Sequence, residues 1–272
     1  MLSRQVLNRV AISRLSSVKV DMMPHGVASL AFNAPPVNTL NKQLLSDIKT
    51  SVDQVVADGA SAIVFSSAKP GVFSSGLDIF SMYGKTDDEL REFWQHVQDM
   101  WLSVYMCPIP TIAAINGASP AGGCQIAMSC DYRIMAKHPK IVIGLNETAL
   151  GIVAPTWFVD TMINTIGQRE TEWALQLGHL YSGEHALKIG LVDELVEPDD
   201  MMERVIENLK LWLKVPPKAR AITKQLLRQE TANKLIRNKE QDIETFVKLV
   251  SQPSVQKDLG RYIEMMKAKS KK

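Results

Sequence analysis

No run of this chain approaches the roughly 20 consecutive apolar residues that a membrane-spanning helix needs, so stable membrane insertion is not expected. Cysteine is scarce: Cys107, Cys124 and Cys130 are an odd set of three in 272 residues, with no Cys-x-x-Cys spacing. That pattern speaks against a disulfide framework and for a reducing compartment. Neither sign of charge prevails, with 31 basic and 29 acidic side chains and a net charge of +2. Such a balance supplies no field to attract nucleic acid. The P-loop, GxGxxG and HExxH patterns are all missing, and with them the signatures of phosphoryl transfer, dinucleotide binding and zinc proteolysis. The five histidines stand at no metal-ligand spacing, and no metal is expected. Acid is missing from the whole stretch before Asp21, which instead carries Arg4, Arg9, Arg14 and Lys19 among serines. An Arg- and Ser-rich, acid-free start predicts a mitochondrial presequence over residues 1–20 and a matrix destination.

With 46% hydrophobic residues, the chain can build a sizeable core. Val27 to Phe32 reads as a strand, and the adjacent Pro35 and Pro36 stop it from continuing. A helix follows from Asn41 to Gly59, then a strand from Ala62 to Ser66, a long helix from Asp87 to Met106, and a strand from Tyr132 to Met135. Strands alternating with helices predict an α/β architecture with crossover connections. The last third reads as amphipathic helices. The first has Asp200 to Glu203 as a capping box and Met202, Val205, Leu209 and Leu213 at core spacing. The second opens at Pro216 and Pro217 and carries Ile222 and Leu226. Two more carry Ile243, Val247 and Val250, then Val255, Leu259, Tyr262 and Met266. Lys214, Lys218, Lys224 and Arg228 read as a solvated helix face. The division expected is a leader over 1–20, an α/β core with the site over 21–198, and a helical region for packing and association over 199–272.

The most informative stretch runs from Thr111 to Met128. An apolar strand, Thr111 to Gly117, ends in a turn, and a helix opens near Cys124. A strand that feeds a Gly-rich turn into a helix N-terminus gathers free backbone N–H groups at one point. Such a point suits an oxygen that gains negative charge during a reaction. Gly117 to Ala121 nearly fits a serine-hydrolase elbow, but the residue after Ser119 is Pro120, which has no N–H to donate. A second Gly-rich loop lies at Phe73 to Asp78, and a lone carboxylate, Glu147, stands in the apolar run after Gly144. Two backbone donors and one base are enough to form and stabilise an enolate.

In this order the motifs resemble those of the crotonase superfamily. Phe73-Ser74-Ser75-Gly76-Leu77-Asp78 is similar to its F-S/C-A-G-x-D loop, with Ser75 for the usual alanine. Ala113 to Gly123 is similar to A-A-I-N-G-x-x-x-G-G-G, with Ala121 for the first glycine of the three, and Cys130 to Ile134 is similar to C-D-x-R-I/V. The resemblance runs from about Val18 to the last helices. It implies a spiral of ββα units with a C-terminal helical extension, an acyl-CoA thioester substrate, no cofactor beyond the coenzyme A of that substrate, and a homotrimer. It implies an oxyanion hole from the N–H groups of Leu77 and Gly122, Glu147 as the catalytic base, and a substrate site that includes Ser75, Gly76, Leu77, Asp78, Ile79, Gly122 and Asn146. Family members that hydrate enoyl-CoA use two glutamates, and this chain has Gln125 where the first would stand. Adding water needs groups that position it and manage two protons, whereas moving a double bond needs one base. The resemblance therefore implies an isomerase that converts 3-enoyl-CoA to trans-2-enoyl-CoA in β-oxidation of unsaturated fatty acids. A hydratase or thioesterase with a different partner for Glu147, and a non-catalytic CoA- or RNA-binding relative, are the alternatives.

Overall fold

The computed structural model describes residues 17–269, so most of the expected leader lies outside the described residues. The chain opens with an antiparallel pair, β1 (Val18–Met23) and β2 (Val27–Phe32). Val18 is buried, so the last residues of the acid-free segment belong to the sheet. Helix α1 (Lys42–Ala57) starts where the Asn41 side chain accepts the Leu44 N–H, and it buries Leu44, Leu45, Ile48, Val52 and Val55.

A repeating unit then sets in: one long strand, one short strand, one helix. The first unit is β3 (Ala62–Ser67), β4 (Gly71–Val72) and α2 (Asp87–Tyr105). The second is β5 (Thr111–Ile115), β6 (Gly117–Pro120) and α3 (Gly122–Ser129). The third is β7 (Tyr132–Ala136), β8 (Val142–Gly144), a 3-10 turn (Glu147–Leu150) and α4 (Thr156–Ile166). After these come α5 (Gln168–Leu177), β9 (Tyr181–Ser182), α6 (Gly183–Lys188) and β10 (Glu194–Val196). The long strands form one sheet in the order β1-β2-β3-β5-β7-β10, and the short strands a second in the order β4-β6-β8-β9. Strand β5 is buried along its whole length, as a near-continuous apolar run in the middle of a parallel sheet requires.

The stretch 111–117, expected as one strand ending in a turn, is a corner between the two sheets. β5 stops at Ile115 and β6 starts at Gly117. Asn116 makes the corner possible, because its side chain acts as a strand would. Its Oδ1 accepts the Ser67 N–H at 3.1 Å and its Nδ2 donates to the Ser67 carbonyl at 2.8 Å. Gly117 is needed for close approach: a Cβ there would lie 2.1 Å from the Val72 nitrogen of β4.

Four helices complete the chain: α7 (Met201–Leu213), α8 (Pro217–Arg237), α9 (Lys239–Val250) and α10 (Pro253–Lys269). The expected capping box at Asp200 does not form. Asp200 ends the preceding 3-10 turn in αR geometry, φ −87° and ψ −7°, and its side chain makes no cap bond. A real box stands at Thr86 and Glu89 on α2. Met201, not Met202, faces the core. Ile222 and Leu226 are exposed rather than buried, and α8 packs through Thr231, Ala232 and Leu235. Trp94, Trp101 and Trp157 pack in the core. Trp94 stacks on Phe246 at 3.9 Å between ring centroids, and Trp101 meets Trp157 at 4.8 Å. One carboxylate, Asp242, accepts from the indoles of Trp94 and Trp157 and from Gln98, which ties α2, α4 and α9 together.

Lys224 and Arg228 are not a solvated face, although Lys214 and Lys218 are exposed. Both reach the nearly buried carboxylate of Asp131, at 2.8 and 2.9 Å. Asp131 also accepts the backbone N–H of Thr111, and Arg228 donates to the carbonyls of Tyr105, Ser129 and Cys130. Burial pulls the Lys224 pKa down, and Asp131 opposes that shift. A buried cluster of this kind is costly to break on one side only, because it leaves unpaired charge. Asp131→Asn should therefore lower unfolding stability by about 3–5 kcal/mol. Lys218→Ala should stay within about 0.5 kcal/mol of wild type. Urea unfolding of the two variants checks the contrast.

Candidate active site

The loops that follow β4, β6 and β8 come from three successive units and meet at one place. The ends of the short strands aim them there, as carboxyl ends of parallel strands do. The first loop, residues 73–78, is held from two sides. Phe73 and Ser74 donate their N–H groups to the Ala118 carbonyl of β6. Segment 37–40 forms the other brace: Ser75 N–H donates to the Val37 carbonyl, Leu40 N–H to the Gly76 carbonyl, and Asp78 N–H to the Leu40 carbonyl. Asn38 anchors that brace. It is fully buried, its Oδ1 accepts the Ala34 N–H, and its Nδ2 donates to Ser67 Oγ and the Phe73 carbonyl. Nothing in the run 33–38 beyond a strand break was legible in the sequence, so Asn38 went unnoticed there.

Gly76 turns the loop with φ +88°, and a Cβ on it would sit 2.8 Å from the Ala121 Cβ. Glycine alone satisfies both conditions. Beyond the turn, Asp78 caps a short 3-10 turn, accepting the Phe80 N–H at 3.2 Å and the Ser81 hydroxyl at 2.7 Å. The second loop is Pro120, Ala121 and Gly122. Ala121 donates its N–H to the Gly144 carbonyl at 2.8 Å, which locks this loop to the third. Gly122 is the first residue of α3, where a helix has no acceptor for its own N–H. A Cβ on Gly122 would lie 3.4 Å from the Leu77 nitrogen, so the two backbone donors stand side by side. Neither N–H donates to another group of the described chain.

The third loop brings Asn146 and Glu147. Glu147 is 3% exposed, and neither oxygen of its carboxyl has a hydrogen-bond partner in the protein; Asn146 Oδ1 is unpartnered as well. Burial, the dominant cause, pushes the Glu147 pKa up to about 7. Gly151 then stops the 3-10 turn with φ +79°.

Ser75, Leu77, Asp78, Ile79, Asn146 and Glu147 line one pocket, with Gly76 and Gly122 buried behind it. The pocket also draws in residues that the sequence reading missed: Thr39, Met82, Pro120, Leu150 and Ile152, with Tyr262 and Met266 from α10. Tyr262 and Met266 have ordinary core spacing on a helix far along the chain, so no local signal marked them. α10 is fastened to the site by Gln256, whose side chain accepts the Gly84 N–H and donates to the Met82 carbonyl. Gln125 is absent from this lining. It is buried, and its Nε2 donates to Thr161 Oγ1 at 3.1 Å on α4. Among the described residues, no group of three or more His, Cys, Asp or Glu could hold a metal ion.

A pocket flanked by two neighbouring, unpaired N–H donors can bind a carbonyl oxygen that becomes an oxyanion, and a desolvated carboxylate in it can take a proton from the neighbouring carbon. The model of the enoyl-CoA hydratase/isomerase family matches residues 22–272 of this sequence. The chain belongs to that family. Its relatives include mitochondrial enoyl-CoA delta isomerase 1 of Mus musculus, 45% identical over 247 residues that cover 90% of this chain and 86% of the relative. The Homo sapiens protein of the same name is 41% identical, over 89% of this chain and 80% of the relative. Among solved structures, the human mitochondrial delta3-delta2-enoyl-CoA isomerase superposes with a TM-score of 0.92 at 40% identity, over 93% of this chain and 99% of that one. An enoyl-CoA hydratase from Bacillus halodurans has a TM-score of 0.82 at 26% identity, over 90% of this chain and all 100% of that one. The spiral architecture is thus the family's fold.

The raised pKa of Glu147 has a sign that can be tested. Between its ordinary value of 4.5 and about 7, the folded protein holds a proton that the unfolded chain has lost, so this group lowers stability as pH rises. The penalty is absent below 4.5 and complete above about 7. Glu147→Gln should therefore gain stability over wild type as pH rises from 5 to 8, by about 3 kcal/mol at most. Denaturation midpoints measured across that range check the trend.

Proposed function

We infer that this chain is an enoyl-CoA delta isomerase, which moves the double bond of a 3-enoyl-CoA thioester to the trans-2 position in fatty acid metabolism. The single observation that carries the mechanism is the state of the carboxylates in the pocket. Asp78 is committed to capping its own turn, whereas Glu147 is buried with both oxygens unpartnered beside the free N–H groups of Leu77 and Gly122. The thioester oxygen takes the two N–H groups. Glu147 removes a proton from C2, and the electrons of that C–H bond spread into the enolate. The same carboxyl group returns the proton at C4, which leaves the double bond between C2 and C3. One base suffices because the proton is moved rather than consumed, and no cofactor is required beyond the coenzyme A carried by the substrate. Gln125, tied to Thr161 outside the pocket lining, supplies no second acid or base for adding water.

Three outcomes follow for activity. The rate constant kcat/KM for 3-hexenoyl-CoA should rise with pH through about 7, because the base works only when deprotonated. Glu147→Gln should lose about 10²–10⁴-fold in turnover while CoA-ester affinity stays within a few-fold. Gly122→Pro should lose roughly 10²–10³-fold, the scale of one missing oxyanion donor. Gly122→Ala is the control for steric pressure, since a Cβ there would press on Leu40 Cδ1 at 2.7 Å in either variant but only proline removes the N–H. Equal losses in the two Gly122 variants would count against the donor role.

The relatives named above are mitochondrial proteins, and this chain is assigned to the mitochondrion, with the acid-free residues before strand β1 as the address to the matrix. Protease protection in fractionated mitochondria, with mass spectrometry of the native N-terminus, tests that address; an intact Met1 in a cytosolic fraction would refute it. No helix among the described residues is long and apolar enough to cross a membrane. A homotrimer is supported by the apolar face that α8 leaves open: Leu226 is 76% and Leu227 78% exposed, with Ile222 nearby. Charging that face with Leu226→Glu and Leu227→Glu should turn a trimer into a monomer in analytical ultracentrifugation. An unchanged sedimentation coefficient would remove α8 from the interface.

A further inference from the structure

Ala121 adopts a backbone conformation that its own side chain makes costly. Its φ of +50° and ψ of −122° fall in a region that is open to glycine and crowded for any residue with a Cβ. Nothing the backbone does there calls for alanine. The N–H donates to the Gly144 carbonyl at 2.8 Å and the carbonyl accepts the Gln125 N–H at 3.0 Å. Glycine would make both bonds without the strain. For the fold alone the methyl group is a burden, so its contribution lies in what it touches.

The methyl group belongs to the pocket wall that also contains Leu77, Pro120 and Glu147. On its inner side it abuts Gly76, where an added Cβ would come within 2.8 Å of it and 3.2 Å of the Gly122 nitrogen. It therefore plugs the seam between the two loops that carry the oxyanion donors. A methyl group occupies about the room of one water molecule. Removing it would leave a hollow of that size, bordered by the loop backbones and joined to the pocket that the unpartnered Glu147 carboxyl also lines.

Resting on the isomerase reading, we propose that the Ala121 methyl group keeps water out of this seam and so decides the fate of the proton held by Glu147. In the native enzyme the C2–H bond breaks as the Glu147 O–H bond forms. The O–H bond then breaks as the new C4–H bond forms on the same substrate molecule. Water in the seam would exchange with that carboxyl proton between the two steps. Ala121 is thus a specificity-determining residue: it secures internal proton return at a cost in backbone strain.

The test is isomerisation of 3-hexenoyl-CoA in D2O by wild type and Ala121→Gly, with deuterium at C4 of the 2-enoyl product read by mass spectrometry at early conversion. Wild type should give product that is mostly protonated at C4. Ala121→Gly should raise deuterium there several-fold, while its melting temperature stays equal or rises because the strain is gone. A melting temperature below wild type would overturn the strain argument. Equal deuterium content in the two enzymes, or wild-type product already equilibrated with solvent, would overturn the role in water exclusion. A wild-type protein that does not isomerise the substrate at all would instead overturn the activity on which the inference rests.

Discussion

The rest of this structure answers to one constraint: a carboxyl group held away from water with no partner of its own. Burial of an unpaired ionisable group raises the energy of its charged form, and that is the property a general base needs. It also works against folding, so the surroundings must be over-determined to tolerate it. The 3-10 turn that carries Glu147 is locked on three sides. The Ala121 N–H bonds to Gly144 on the strand leading in, the left-handed Gly151 closes the turn, and Asp258 of α10 packs against Gly151 so closely that a Cβ there would be 2.9 Å away.

The two backbone N–H groups proposed to bind the thioester oxygen meet the same demand for rigidity by different means. Leu77 N–H is placed by a loop whose carbonyls and N–H groups are answered by Val37, Leu40 and Ala118. Gly122 N–H is placed by being first in a helix, where geometry leaves it without an internal acceptor. Neither depends on a side chain reaching out from the surface, so both N–H groups are fixed by backbone geometry alone. Preorganised dipoles of this kind cost no rearrangement when charge develops. The same spiral carries both hydratases and isomerases in this family. In this chain Gln125 turns toward Thr161, while Glu147 lines the pocket with free oxygens.

The helical region joins the core through apolar side chains such as Val205, Leu235, Ile243, Val247 and Leu259, and polar anchors fix where it sits. Lys224 and Arg228 converge on Asp131, and Asp242 gathers the indoles of α2 and α4. Lysine and arginine on an amphipathic helix look alike whether they meet water or a buried carboxylate. The spacing of Lys224 and Arg228 therefore gave no warning that they are structural. Ile222 and Leu226 misled in the opposite direction, since apolar residues at helical spacing mark a face and do not say what covers it.

The linear sequence by itself determined the alternation of the main strands and helices, the two glycine-containing loops, the lone glutamate and the missing second one. Each is a local property: periodicity sets the element, Pro120 lacks an N–H, and Gln125 cannot ionise. Together with the family resemblance, those features were enough to propose Leu77 and Gly122 as oxyanion donors and Glu147 as the base. Only the tertiary structure decided that 111–120 turns a corner between two sheets, that Asn38 braces the first loop, and that Tyr262 and Met266 arrive from α10 to wall the pocket. It alone showed that Glu147 is unpartnered and that Ala121 is strained. These depend on contacts between residues far apart in the chain and on backbone angles that neighbouring loops impose, and neither is written in the spacing of residues along the sequence.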